Sequence, residues 1–141
     1  MIGGGGLKKT LRTVARHADM WNGGGSVEEL VEKRDAIRRH CDDIGRDPGE
    51  IELTASFMPI IRSTEREART VWEATVAANR TPLAEAADND AWWVGTPELI
   101  AERMRERVAI GIRTFIAEIA APYDEETLER WIGEVRPMAE G

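Results

Sequence analysis

Four consecutive glycines, Gly3 to Gly6, stand near the start of the chain and are followed by Lys8 and Lys9. A glycine run at a strand-to-helix turn lets the backbone approach an anion closely. The free N–H groups of the next helix then point at that anion, and the helix dipole favours its charge. Lys8 and Lys9 add positive charge nearby. Asn22, just past a short apolar stretch, is a further polar candidate, since its amide both donates and accepts. The rival reading of the glycines is a loose terminal linker, because chain ends are often poorly held. His40, Cys41, Asp42 and Asp43 are metal-ligating residue types. Consecutive residues on a helix point in different directions, so these four do not converge on one ion, and no metal is expected. His17 reads as packing or surface. Glu118 reads equally as a pocket carboxylate or half of a strand-end salt bridge. No general acid, base or nucleophile stands out.

These residues need elements to hold them. Leu7–Ala18 reads as a helix, with Leu7, Leu11, Val14, Ala15 and Ala18 recurring at three and four residues. Asp19–Trp21 is short enough for a brief strand. Gly23 to Gly25 form a second glycine loop. Ser26-Val27-Glu28-Glu29 is a capping box, predicting a helix from Val27 to about Ile44 with Leu30, Val31, Ile37, Cys41 and Ile44 inward. Gly45 is placed to end it. Ile51–Met58 reads as a buried strand that Pro59 ends. Thr64–Asn79 is amphipathic, with Ala68, Val71, Trp72, Thr75 and Val76 on one face. Arg80–Asp90 reads as a loop with about one helical turn. Trp92 and Trp93 are expected as a hydrophobic lid under that loop. Thr96-Pro97 starts a helix that runs to about Ile110. Ile112–Ile119 alternates like a strand, and Asp124 caps a last helix, Glu125–Glu134, with Pro137 at its fraying end. Met1-Ile2 completes four expected strands. Strands alternating with helices argue for an α/β fold with a parallel sheet.

The bulk numbers narrow the function classes. The chain has 141 residues and a net charge of −7. That balance argues against nucleic acid or an anionic membrane as the main partner, because both need a basic surface. One cysteine, Cys41, excludes an intrachain disulfide and fits a reducing cytoplasm. No apolar run approaches the ~18–20 residues of a membrane span. No export signal is seen at the N-terminus.

The stretch from Ile2 to Asn22 resembles the luciferase-like monooxygenase superfamily, whose members are flavin- or deazaflavin (F420)-dependent oxidoreductases built as (β/α)8 barrels. The family pattern of a glycine cluster, a T-L-x-x-x-A-R-x-A-D helix and a W-N pair is matched by Gly3–Gly6, Thr10-Leu11, Ala15-Arg16, Ala18-Asp19 and Trp21-Asn22. His40–Ile51 (HCDDIGRDPGEI) is similar to the family link into its next strand, and Val94-Gly95-Thr96-Pro97-Glu98 to a V-G-T-P-E helix start. The resemblance implies a partial TIM barrel, roughly strands five to eight, with residues 1–141 forming a single partial domain from the C-terminal half. A complete barrel needs roughly 250 residues. Met1-Ile2 then reads as the tail of a strand whose first residues are missing, since strands usually run about 5–6 residues. The resemblance further implies that Gly3, Gly4, Gly5 and Gly6, with Lys8, face the phosphate-bearing tail of the cofactor. Asn22 would lie at the same C-terminal rim, where barrel active sites gather. The cofactor is F420 or FMN, with a lean to F420.

Two functions follow. The first is an oxidoreductase half, handling a flavin-type cofactor and a small organic substrate, and incomplete for catalysis alone. Its other half would be a missing N-terminal half-barrel or a second copy in a homodimer. The second is a non-catalytic α/β remnant or binding module that self-associates through open sheet edges.

Overall fold

The computed structural model describes residues 1–140 of the chain. In order, the elements are β1 (Ile2–Gly3), α1 (Thr10–His17), β2 (Met20–Gly23), α2 (Val27–Asp42), β3 (Glu52–Ile61), α3 (Glu65–Ala78), α4 (Leu83–Ala87), β4 (Trp92–Gly95), α5 (Pro97–Ala109), β5 (Ile112–Ala117), α6 (Glu125–Arg130) and α7 (Arg136–Glu140). The chain divides into two compact units. One comprises Met1–Ser56 with Arg107–Ile116, and the other comprises the rest.

In the first unit, β1 pairs parallel with β2, Ile2 opposite Trp21 and Gly3 opposite Asn22. The strand β2 pairs parallel with the start of β3, Met20 opposite Glu52 through Gly23 opposite Ala55. The α2 helix starts where the capping box predicts. The Glu29 amide donates to the Ser26 hydroxyl at 3.3 Å, and the Ser26 amide to the Glu29 carboxylate at 3.1 Å. Its buried residues Leu30, Ala36, Ile37 and Cys41 meet Leu11, Val14 and Ala15 of α1, with Ala18, Trp21 and Ile51, in one core. The helix ends two residues before Ile44, which is left exposed. The α1 helix starts three residues later than its apolar spacing predicts. Lys9 stands at its N-cap position and offers no side-chain oxygen to the first amides. Leu7 to Lys9 instead form a turn, and a ring nitrogen of His40 holds the Leu7 carbonyl at 2.8 Å.

In the second unit, the last residues of β3 pair parallel with β4, Met58 opposite Trp92 through Ile61 opposite Gly95. Two expectations change here. Pro59 does not end β3. The amides that reach toward β4 belong to even-numbered residues, Met58 to Ala91 at 2.7 Å and Arg62 to Gly95 at 3.1 Å. The nitrogen of Pro59 faces the other side, so its missing proton removes no bond to β4. Trp92 and Trp93 form a strand and not a lid. Alternation sends Trp93 onto Phe57 with ring centroids 4.3 Å apart, and Trp92 onto Trp72 of α3 at 6.4 Å. The Thr64 hydroxyl caps α3, accepting from the Glu67 amide at 3.2 Å. The helix buries Ala68, Trp72, Thr75 and Val76. A turn does form within 80–90, as α4. The last helix continues past Glu134: a π-helical turn, Trp131–Val135, joins α6 to α7, and Pro137 lies inside α7. β5 ends at Ala117, and Glu118, exposed, donates its amide to the Phe57 carbonyl at 2.8 Å.

Arg62, the residue after β3, anchors this unit. Its guanidinium donates to Asp124 at 2.9 Å and lies 3.1 Å from Glu126. Burial pushes the Asp124 carboxyl up, but hydrogen bonds from Arg62 and Thr127, with the charge of Arg62, outweigh it and hold the group below its ordinary value. A carboxylate depressed in the folded state stabilises fully above its unfolded pKa of about 4 and loses that contribution as pH falls through the folded value. Urea unfolding should therefore show the wild-type chain losing more stability between pH 5 and pH 2.5 than Asp124→Asn does.

Packing of Trp21 generates a second prediction. A Cβ on Gly23 would stand 2.3 Å from the Trp21 ring, while one on Gly24 would meet nothing within 4 Å. Gly23→Ala should cost about 1–3 kcal/mol in urea unfolding by overpacking, and Gly24→Ala should stay within about 0.5 kcal/mol.

Candidate functional site

The site grows from the C-terminal ends of β1 and β2. The register sets Gly3 beside Asn22. Beyond it, the Gly4 amide donates to the Asn22 carbonyl at 3.3 Å, and the Gly4 carbonyl accepts from the Trp21 indole N–H at 2.9 Å. Gly4 has φ +112°, a conformation open to glycine and strained for other residues. Gly5 and Gly6 follow as exposed loop, and their amides have no acceptor among the described residues. The Gly6 carbonyl accepts from the Leu11 amide at 3.1 Å, so the loop runs directly into α1. The backbone is therefore held at Gly4 and Gly6, with free donors between.

Asn22 lies on the face of β2 opposite Trp21. Its amide nitrogen donates to the Ser56 hydroxyl at 2.8 Å, and its oxygen accepts from the Thr54 hydroxyl at 3.0 Å. Thr54, fully buried, also lies 3.1 Å from the Trp21 carbonyl, so its single hydroxyl proton is shared between that oxygen and Asn22. Held between two hydroxyls, the Asn22 side chain is fixed in place at the rim. One N–H of Asn22 remains for another acceptor.

Of the residues singled out from sequence, Gly3, Gly4, Gly5, Gly6 and Asn22 come together. Lys8 is exposed and makes no hydrogen bond or ion pair among the described residues. The cation that lies on the loop is Lys33 of α2: a Cβ on Gly5 would stand 2.9 Å from its Cε. The Lys33 ammonium donates to the Gly24 carbonyl at 2.8 Å, and Arg107 donates to the Gly25 carbonyl at 3.2 Å. The adjacent Glu28 carboxyl is held below its ordinary value by its backbone amide and the Ser26 hydroxyl, with Arg107 adding to the effect. Thr54 and Ser56 carried a readable signal, two hydroxyls at period two in an apolar strand. Lys33 carried none, since its place follows from the docking of α2.

Other titratable groups stand apart. Cys41 is buried, and burial raises its thiol, so it packs as a small apolar side chain. A cavity of ≈ 560 Å³ lies in the same unit at the N-terminal ends of β2, β3 and β5, between residues such as Asp19, Arg34, Glu52 and Arg113. It contains none of the predicted site residues. No helix among the described residues is long and apolar enough to cross a membrane.

Thr54 generates a prediction. Thr54→Val keeps the shape and removes the hydroxyl that the buried Trp21 carbonyl and the Asn22 amide share, which should cost about 1–3 kcal/mol in urea unfolding. Thr54→Ser should cost less than half as much.

The fold is similar to that of several solved enzymes. EDTA monooxygenase from Chelativorans sp. BNC1 shares 19% identity at a TM-score of 0.74, with 99% of this chain and 43% of that one covered. A long-chain alkane monooxygenase shares 22% at 0.72, covering 98% and 40%. The coenzyme F420 dependent tetrahydromethanopterin reductase from Methanopyrus kandleri shares 17% at 0.70, covering 96% and 49%. The chain thus spans less than half the length of each of these structures. At such identities the likeness is one of fold: α/β with parallel strands, matching part of a luciferase-like (β/α)8 barrel. No curated protein matches the chain. The sequence model for luciferase-like monooxygenases matches residues 1–114. With that match running through both glycine loops, Asn22, Thr54 and Ser56, the chain belongs to the luciferase-like monooxygenase family.

Proposed function

We propose that this chain supplies the phosphate-holding part of a flavin-type cofactor site in a luciferase-like oxidoreductase. The observation that carries the reading is the loop at Gly3 to Gly6. It is clamped by Trp21 and Asn22 at Gly4, and it leaves the Gly5 and Gly6 amides free at the end of a parallel strand. Adjacent free amides at a strand-to-helix turn suit a phosphate ester, so the residues present fit that end of the cofactor. Lys8 adds positive charge to the approach. Asn22, oriented by Thr54 and Ser56, offers a hydrogen bond at the same rim.

The neighbours support a flavin-type cofactor without separating its kinds. One is a monooxygenase in complex with FMN, and another is coenzyme F420 dependent. The style of the glycine and W-N motifs tilts the choice toward F420. When bound, the cofactor supplies the hydride or oxygen chemistry, while the protein binds and orients it. The neighbours are more than twice as long as the stretch they share with this chain. In this reading the ring site and the pocket for a small organic substrate are not completed by one copy of the chain. An N-terminal half-barrel or a second copy in a homodimer would complete them, the isolated chain being incomplete for catalysis. The lone buried thiol suits a cytoplasmic setting.

Titration of the 141-residue chain with FMN, riboflavin and F420, followed by fluorescence, tests the reading. Saturable binding of FMN or F420 is expected, with FMN at least about tenfold tighter than riboflavin, the margin of a charge-assisted contact to phosphate. A folded sample that binds neither cofactor, or that binds FMN and riboflavin alike without binding F420, would remove it.

A further inference from the structure

We infer that Lys33 is the cation of this site: its ammonium bridges the two glycine loops and meets the phosphate end of the cofactor, with Gly5 kept bare to admit it. The inference rests on the proposed cofactor reading and adds a residue that no sequence motif marks.

The geometry is specific. Lys33 comes from the second turn of α2, and its side chain is only 19% exposed. The stem crosses Gly5, where a Cβ would meet Cε at 2.9 Å and Nζ at 3.4 Å. The ammonium then reaches the Gly24 carbonyl at 2.8 Å. That contact uses one of three N–H donors. Glu29 lies 3.9 Å away, too far for a hydrogen bond. Donors therefore remain beside Gly5, whose own amide is free, and partial withdrawal from water strengthens their attraction for an anion. Lys8 and Lys9, in contrast, are exposed. The rival role for Lys33 is purely structural, as a tether for Gly24.

Gly5 makes the two roles separable. Its φ lies outside the left-handed region, so its backbone accepts alanine, and what a methyl group meets is the end of Lys33. Gly5→Ala should therefore push the ammonium aside without unfolding the loop.

The test measures FMN and riboflavin affinity for the wild-type chain, Lys33→Met, Lys33→Arg, Gly5→Ala and the Gly5→Ala/Lys33→Met double variant, each first shown to be folded by circular dichroism. Lys33→Met should weaken FMN binding by about 10- to 100-fold, the worth of a charge-assisted hydrogen bond, and leave riboflavin unchanged. Lys33→Arg should restore most of the FMN affinity. Gly5→Ala should weaken FMN binding in the wild type and add almost nothing in the Lys33→Met background. Unchanged FMN affinity in Lys33→Met overturns the inference alone. So does a parallel loss of riboflavin, which marks a tether, and so does an undiminished Gly5→Ala effect without Lys33. A wild-type chain with no preference for FMN over riboflavin overturns this inference, and the cofactor reading with it where F420 is not bound either.

Discussion

Trp21 is fully buried in the core that α1 and α2 share, and glycines meet both of its requirements. Its ring needs space, and Gly23 supplies that space by having no side chain. Its indole N–H needs an acceptor, and the Gly4 carbonyl turns inward to provide one. A buried indole N–H without a partner is costly, so this bond fixes more than itself. The Gly4 carbonyl turns inward at a residue with positive φ, and the amides of Gly5 and Gly6 follow directly from that turn. The same strand places Asn22 on the opposite face, where Thr54 and Ser56 determine its orientation. Loop geometry and amide orientation thus both descend from one short strand with a large residue and a polar residue side by side.

Around this frame backbone oxygens hold two of the charges. Gly24 and Gly25 turn their carbonyls to Lys33 and Arg107. In the following turn, Ser26 and Glu29 exchange hydrogen bonds and satisfy the first amides of α2. The second glycine loop is consequently short of free acceptors, while the first keeps free donors. A donor-rich loop on a chain of net charge −7 is a local property, invisible to composition.

Most elements could be read because their signals are local. The capping box at Ser26 and the cap at Asp124 each act within three residues, and each starts its helix as read. The glycine loop was visible as four identical letters, and Asn22 as half of a motif. The misreadings concern residues whose role depends on a neighbour distant in sequence. Pro59 looks like a stop until it is known which side of β3 faces β4. Trp92 and Trp93 look like a cover until Phe57 and Trp72 are placed on either side of them. Leu7 has the right spacing for α1, yet the chain there offers no cap, and His40 secures a turn instead. Lys33 belongs to the same class. Its partners are Gly5 and Gly24, at separations that no helical or strand period encodes.

Pro59 also bears on how safely this sequence folds. On the side of β3 away from β4, position 59 has no proton to give, and the Ile61 amide is taken at 2.9 Å by the Thr127 hydroxyl. A strand with a gap in its row of donors is a poor template for a foreign strand. Ile60 and Ile61, among the most aggregation-prone residue types, are thus flanked by a proline that breaks the continuity an amyloid-like ladder requires. The residue that looked like a terminator acts as a gatekeeper, protecting an apolar strand from strangers while leaving its native neighbour fully bonded.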